Sequence, residues 1–391
     1  MKKLTIGASI AALGLALALA QPAAAQRIGA NSGVNYAAPT DKPVEGPKTI
    51  AGSRSFESPI PFFKDLKPWD PNYKAPRAPD GHADLQGVWS TASLTSLTRG
   101  GGRGGANIDT LVIPPEKVNQ LLDNANYTQI ARDSQKRTDP NAGVFTDRQP
   151  DAGYNAFWID PGSEYAKVNG EYRSSWIVDP PNGQVPLNRA GNTAAGSRMN
   201  NVRSVNNTGP EIRTLGDRCL VSFANQGGPP LTNAMYNNNI QIVQTPDHVM
   251  LDIEMNHDVR IVRIRKPGET ETRMPDNIQQ WFGDSIGWWE GDTLVVETRN
   301  PHPLQARGRV PLSKQGKIVE RFRRVSDVEI DYTYDVIDPI SYTQTWKGQM
   351  PLRKSKEKVF EYACHEGNYA LPGILRGDAE GRDTAISKDG E

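Results

Sequence analysis

A short stretch at the end of a predicted strand carries four ionisable side chains, Glu254, His257, Asp258 and Arg260. A histidine oriented by a carboxylate is a general base, and a neighbouring arginine can hold an anionic group or stabilise an enolate. Strict alternation places His257 on the opposite strand face from the other three, so a bulge near Asn256 would be needed to bring it round. The alternative is a salt-bridged strand end in which His257 is hydrogen-bonded in place.

Further ionisable candidates lie in two other stretches. His365 and Glu366 are neighbours that could serve as acid and base, but adjacent strand residues point to opposite faces, so both contribute only if the strand has ended. Asp284 either caps a turn or faces a pocket, whereas Glu290 and Asp292 flank a glycine and are typical of a tight turn. We therefore retain His365 and Asp284 as candidate catalytic residues.

The sequence gives little support for metal or cofactor chemistry. His257, His365, Glu254 and Asp284 could assemble a metal site from separate strands, but no local ligand spacing indicates one, so we expect no metal. We expect no organic cofactor either, because the glycine-rich stretch 99–105 lacks the Gly-Lys-Ser/Thr ending of a phosphate-binding loop. Basic and acidic residues are equal in number, 45 each, which argues against nucleic acid as a partner.

Aromatic residues are spread along the predicted strands. Four of them, Trp281, Trp288, Tyr334 and Trp346, are predicted to wall an apolar cavity, while most of the others are expected to be core and girdle residues. A barrel with an aromatic pocket and a few ionisable groups at its mouth suits a hydrophobic small molecule. The predicted partner is therefore a small apolar molecule.

These candidates need a sheet to position them, and the stretch 281–298 predicts its centre. It has the pattern of a β-hairpin with its turn at Glu290-Gly-Asp292 and a β-branched returning arm. About nine short strands are predicted between residues 240 and 364 at hairpin spacing, the last of them at 358–364. Because closure removes exposed edges, we predict an all-β antiparallel meander that closes into a lipocalin-like barrel, with a β-sandwich as the alternative.

Composition divides the chain into segments. Lys2 and Lys3 precede an apolar run and the small-residue site 23–25, which is typical of a secretory signal peptide; the alternative is an uncleaved transmembrane helix. A polar arm and a single β domain with one helix and a loop-rich insert follow. We place the boundaries at 1–25 for the signal peptide, 26–77 for the arm, 78–376 for the domain, 115–136 for the helix, 139–239 for the insert and 377–391 for a flexible tail.

Cysteine usage agrees with export. Cys219 and Cys364 are the two cysteines of the chain, and an oxidising compartment allows them to form a disulfide; the alternative is two separate buried thiols. Beyond the signal peptide, no segment is long and apolar enough to span a bilayer. We therefore expect a periplasmic or secreted protein.

Four sequence blocks resemble the signature blocks of a large family of exported bacterial proteins without an established reaction. The blocks are 79–89, 177–183, 283–298 and 361–369, and they extend over most of the mature chain. The resemblance implies export and a shared fold, and it implies no reaction. One departure is Trp288, where a polar or basic residue is more usual, so the lining of the site is expected to differ.

Together these features favour an exported enzyme that acts on a small, largely apolar molecule by cofactor-independent acid–base chemistry. Elimination, hydration and isomerisation are the reactions that we expect, with His257 as base and Glu254 or Asp258 as its orienting carboxylate. The first alternative is a lipocalin-like carrier without turnover, and the second is an envelope interaction protein.

Overall fold

The computed structural model describes residues 59–100, 106, 108–125, 128, 161–195, 209–222, 226–305 and 310–377. The predicted signal peptide lies outside these residues, as do most of the predicted arm and nearly all of the predicted tail. Among the described helices, none has the length and apolar character required to cross a membrane.

Strands dominate the described part of the chain. In chain order they are β1 Gly87–Ser90, β2 Val112–Ile113, β3 Lys167–Val168, β4 Glu171–Arg173, β5 Ile177–Asp179, β6 Asn239–Gln244, β7 His248–Ile253, β8 Asp258–Ile264, β9 Asp284–Glu290, β10 Thr293–Arg299, β11 Lys317–Arg324, β12 Glu329–Ile337 and β13 Trp346–Ser355. The helical segments are α1 Pro115–Asn124 and residues 189–195 and 370–377.

Nine strands form a closed barrel. β1 pairs with β6, the strands β6 to β13 follow in order, and β13 pairs back with β1. β5 adds to β13 outside this ring, and β2, β4 and β3 form a separate small sheet. The predicted lipocalin-like barrel is confirmed and the β-sandwich alternative is wrong, because the pairing of β1 with β13 leaves no open edge between them.

One pair of neighbouring barrel strands departs from the predicted meander. β8 and β9 are parallel, with Val262 opposite Ser285, whereas the other pairs of the barrel are antiparallel. Parallel neighbours need a crossover connection rather than a hairpin turn. Residues 265–283 provide it, and we call them the crossover segment. They return the chain to the end of the barrel at which β8 began.

The ninth barrel strand is not the one that the sequence predicts. Residues 358–364 form no strand, and β1 closes the barrel in their place, with Val88 opposite Ser355. This stretch instead ends at Cys364, which forms the predicted disulfide with Cys219, 145 residues earlier in the chain. The predicted pairing of the two cysteines is confirmed.

Helix α1 begins where the sequence predicts, with Pro115 at its first turn and Val118 buried. It ends at Asn124 because Ala125 adopts an extended backbone with ψ of 133°. The remainder of the predicted span to residue 136 lies almost wholly outside the described residues.

Side chains fill the barrel interior. Trp346 meets Tyr334 edge-on at 5.8 Å between ring centroids, and both residues are buried in the core. A Cβ at position 348 would lie 2.1 Å from the Tyr334 ring, so glycine is required there. A barrel of this size is just wide enough for its own side chains. Tyr334 and Trp346 are therefore packing residues in the barrel core.

Candidate functional site

A cleft of about 510 Å³ lies against the outer face of the barrel, between β8 and the crossover segment. Its volume falls in the range of sites for small molecules. The lining comes from β8 and the turn before it, from the crossover segment and the start of β9, from the first residue of β7, and from the loop that follows Cys219. The lining residues used below are Leu220, His248, Asn256, His257, Asp258, Val259, Ile261, Arg263, Met274, Trp281, Phe282 and Asp284.

The alternation of β8 forms the floor of the cleft. Asp258, Arg260 and Val262 lie on the inward face of β8, whereas Val259, Ile261 and Arg263 point outward. Val259 is 41% exposed and Ile261 is 50% exposed, which is unusual for two apolar side chains on one strand face. Leu220 from the disulfide loop adds a third exposed apolar side chain. The floor is therefore apolar and open to solvent.

A single 3-10 turn before β8 interrupts the strand alternation. Asn256 and His257 have positive φ angles of 64° and 51°, a conformation that asparagine tolerates better than most residues. This turn, Met255–His257, stands where a bulge would have been needed to bring His257 round, and it leaves His257 exposed next to Asp258 in the chain. Both His257 and Asp258 are among the residues that line the cleft.

Asp258 is a buried carboxyl group at this end of the cleft, with 4% of the residue exposed. It accepts hydrogen bonds from the Ser222 backbone N–H at 2.9 Å and from Asn256 Nδ2 at 3.4 Å. Burial raises the pKa of Asp258 to about 6, although these hydrogen bonds and the neighbouring His257 act in the opposite direction. A carboxyl group with this pKa can both accept and donate a proton near neutral pH.

Arg260 borders the cleft, but its guanidinium group is committed to the barrel interior. It forms a buried ion pair with Glu320, in which Nη1 and Oε1 are 3.0 Å apart, and it donates to the Gly227 carbonyl at 3.1 Å. Tyr332 completes the cluster by donating its hydroxyl proton to Glu320 at 2.7 Å. The geometry therefore assigns Arg260 to the packing of the barrel rather than to holding an anionic ligand.

Arg263 and Asp284 form the other end of the cleft. Arg263 Nη2 lies 2.6 Å from Asp284 Oδ1, and the second carboxylate oxygen accepts from the Met274 backbone N–H at 3.0 Å. Arg263 Nη1 also donates to the carbonyl of Thr272 at 3.0 Å. Asp284 is the first residue of β9. Its carboxylate thus joins the crossover segment at Met274 to Arg263 of β8, and it orients the arginine that closes the cleft.

Two aromatic residues of the crossover segment form the wall opposite β8. Trp281 packs on His302 with 4.2 Å between ring centroids, and burial lowers the pKa of His302. Phe282 lies so close to Gly227 that a Cβ there would be 2.9 Å from the Phe282 ring. A glycine at position 227 therefore lets the wall approach the barrel end that carries Asp258.

Several predicted site residues lie elsewhere. Glu254 is buried below the turn, where it accepts from the backbone N–H groups of Asn239 and Phe360, and burial raises its pKa. His365 is exposed in a turn beyond the disulfide. Trp288 lies on the β9–β10 hairpin, where it stacks with Arg265 at 5.1 Å. The cleft lining includes none of these residues.

The stretch Gly283-Asp-Ser-Ile-Gly287 has the Gly-x-Ser-x-Gly spacing of a serine-hydrolase elbow. Such an elbow is a sharp turn between a strand and a helix. Here Ser285 lies inside β9, which a hairpin follows, and its buried hydroxyl is hydrogen-bonded to Thr298 at 2.8 Å. The geometry is not that of a nucleophile.

The residues that the sequence reasoning missed are Arg263 and the apolar floor, Val259 and Ile261. Their signal was present, because apolar residues occupy both faces of β8 although one face of an isolated barrel strand normally meets water. Among the described residues, no group of three or more His, Cys, Asp or Glu side chains is placed to hold a metal ion.

No protein-family model, curated protein or solved structure matches this chain. The resemblance of four sequence blocks to exported bacterial proteins therefore stays a prediction. The function has to be inferred from the cleft itself.

Proposed function

We propose that this protein is an enzyme that acts on a small, largely apolar molecule by acid–base chemistry without an organic cofactor. The observation that carries the proposal is the position of Asp258, a buried carboxyl group with a pKa of about 6 in the lining of an apolar cleft. Perturbed carboxyl groups in clefts are characteristic of functional sites.

The adjacent His257 gives the site a second group for proton transfer. Asp258 removes a proton from the substrate, and the exposed His257 returns one or exchanges it with solvent. This assignment reverses the roles expected from sequence, because the buried Asp258 has the tuned pKa while His257 faces water. Such a pair supports elimination, hydration or isomerisation, reactions in which a proton leaves or joins a carbon atom.

We also propose that the protein works in the periplasm or outside the cell. The Cys219–Cys364 disulfide supports this location, because disulfides persist in oxidising compartments. The predicted signal peptide supports it independently.

Proton exchange with heavy water tests the reaction class before the substrate is known. Apolar carbonyl compounds with an acidic C–H bond are incubated with the protein in D₂O, and mass spectrometry records deuterium uptake or loss of a leaving group. We expect uptake from at least one compound, and Asp258→Asn should slow it by about 10²- to 10⁴-fold because the base is lost.

Asp335→Asn is the control, because Asp335 is also a carboxyl group on a barrel strand, where it pairs with Arg321, but it is not part of the cleft lining. It should leave the exchange rate unchanged. Equal exchange rates in wild type and Asp258→Asn would overturn the assignment of Asp258.

A carrier without turnover is the second candidate, and the exposed Val259 and Ile261 favour it, since an apolar floor binds a ligand whether or not chemistry follows. A carrier would keep its affinity in His257→Ala and Asp258→Asn and would exchange no protons. An enzyme would lose exchange in Asp258→Asn while it still binds.

A further inference from the structure

The cleft has two polar ends separated by an apolar middle. Asp258 begins β8 on its inward face and borders the cleft at that end, and Arg263 lies on the outer face near the other end, beyond Val259 and Ile261. At a rise of about 3.3 Å per residue, the backbone positions of Asp258 and Arg263 are about 17 Å apart along β8. A ligand that fills the cleft along β8 is therefore elongated, with an apolar body.

The Arg263 end of the cleft offers hydrogen-bond donors to a ligand. In the described structure the Arg263 guanidinium donates to Asp284 and Thr272, and 35% of the side chain stays exposed. A guanidinium group has five N–H donors, so donors are left for a further acceptor. His248 lies directly opposite Arg263 in the β7–β8 register and lines the same end.

The ion pairs around Arg263 form one connected network with an excess of positive charge. Three carboxylates are shared among five basic side chains, which leaves two positive charges uncompensated within the network. The basic members are Arg263, Arg265, Arg273, Arg299 and Lys317, and the acidic members are Glu271, Asp284 and Glu297. The network also keeps the pKa of Glu297 below its usual value, although burial opposes this.

We propose that the ligand of the cleft is an elongated apolar molecule with a carboxylate at one end, which binds Arg263. A carboxylate fits because its two oxygens match the fork of a guanidinium group, and the excess charge of the network favours an anion. The apolar body lies on Val259 and Ile261 and extends toward Asp258. This inference rests on the proposed function for the reaction at Asp258, and it places the reacting carbon far from the carboxylate.

Binding of decanoate, measured by titration calorimetry near pH 8, tests the inference without any turnover. Decanamide and decylamine have the same chain with a neutral and a cationic end group. We expect decanoate to bind at least about tenfold more tightly than decanamide, the size of one charge-assisted hydrogen bond, and decylamine to bind more weakly than either. The preference for decanoate should decrease with added salt.

Arg263→Gln should weaken the binding of decanoate by about tenfold and leave that of decanamide unchanged. Arg321→Gln is the matched control, because Arg321 pairs with Asp335 on the outer barrel face at a similar exposure and is not part of the cleft lining. It should change neither affinity. Should Arg263→Gln fail to fold, the end-group preference and salt dependence of the wild-type protein still decide the question.

Equal binding of decanoate and decanamide by the wild type, or no binding of either, would overturn the inference. Neither result affects the proposed function, which depends on proton exchange and its loss in Asp258→Asn. Loss of exchange in Asp258→Asn together with unselective binding would therefore retain the enzyme and reject this ligand class.

Discussion

Two opposing influences act on the pKa of the Asp258 carboxyl group. The Ser222 N–H and Asn256 Nδ2 stabilise its ionised form, while burial destabilises it more strongly and raises its pKa from 3.8 to about 6. A shift of this size corresponds to about 3 kcal/mol between the two protonation states. The fold therefore carries an unfavourable carboxylate at the position that the proposed function assigns to the proton acceptor.

The raised pKa predicts how the stability of the protein depends on pH at this residue. Between about pH 4 and 6 the folded state holds a proton at Asp258 that the unfolded chain has released, so the free energy of unfolding falls as pH rises. Asp258→Asn removes this contribution. Relative to wild type, the variant should therefore be more stable at about pH 8 than at about pH 4, by up to about 3 kcal/mol.

Urea unfolding of both proteins at the two pH values measures this difference. Other titrating groups are common to both proteins and cancel in the comparison. A stability difference that stays constant with pH would contradict a raised pKa at Asp258.

At the scale of elements, the crossover segment explains why the cleft exists. An antiparallel β9 would have followed β8 through a short turn, and the outer face of β8 would have met water. Because β9 is parallel to β8, residues 265–283 must return along the outside of the barrel, where Trp281 and Phe282 face the β8 floor.

Arg273 is the main polar anchor of the crossover segment. Its Nη1 donates to the backbone carbonyls of Asp284 and Glu297 at 2.8 and 3.2 Å, and its Nη2 bonds the Glu297 carboxylate at 2.9 Å. In Arg273→Met we expect the amide of Met274 and its neighbours in the crossover segment to exchange at least about tenfold faster, since hydrogen bonds to charged groups contribute about 1.5–3 kcal/mol each.

Hydrogen–deuterium exchange with mass spectrometry measures this effect, with peptides of β11 and β12 as internal references. Arg299→Met is the matched control, because Arg299 bonds the same Glu297 carboxylate without contacting the crossover segment in the described ion pairs. If both variants exchanged alike, Arg273 would not be the anchor.

Sequence patterns predicted the hairpins well, since alternation and turn residues are local signals. The β9–β10 hairpin turns at Gly291, whose φ of 60° suits glycine. The parallel pairing of β8 and β9 escaped prediction because a strand alternates in the same way in either direction. The closing strand also escaped prediction, because its place is decided by the long-range pairing of β1 with β13 and not by a local pattern.

The same distinction between local and long-range signals holds for the site. His257 and Asp258 are neighbours in the chain, so the sequence could identify them together. Arg263 and Asp284 meet only because the crossover segment returns, and no local pattern indicates that contact. The sequence does not distinguish an aromatic residue that packs in a core from one that walls a cavity. The packing of the barrel shows that Tyr334 lies in the core.

At the scale of the whole molecule, side chains fill the barrel interior, so we expect a ligand to bind on the outer surface of the barrel. The Arg260–Glu320 pair crosses the interior, with Tyr332 bound to the same carboxylate. Separating such a pair leaves a buried charge without its partner and typically costs about 3–5 kcal/mol. A ligand that entered the interior would have to separate it, so the interior is poorly suited to ligand exchange. The disulfide between Cys219 and Cys364 fixes the outer loop that carries Leu220.

Blocking the floor of the cleft is the most direct test that the site lies on the outer face of β8. Ile261 is 50% exposed, so Ile261→Trp should fold normally while its indole fills the space above β8. Ile340→Trp is the matched control, because Ile340 is 45% exposed and lies outside the cleft lining.

The affinity for decanoate and the rate of proton exchange are measured in the two tryptophan variants. We predict that Ile261→Trp weakens binding by at least about tenfold, or about 1.4 kcal/mol, and abolishes exchange, while Ile340→Trp behaves as wild type. Full binding and exchange in Ile261→Trp would contradict the outer-face site.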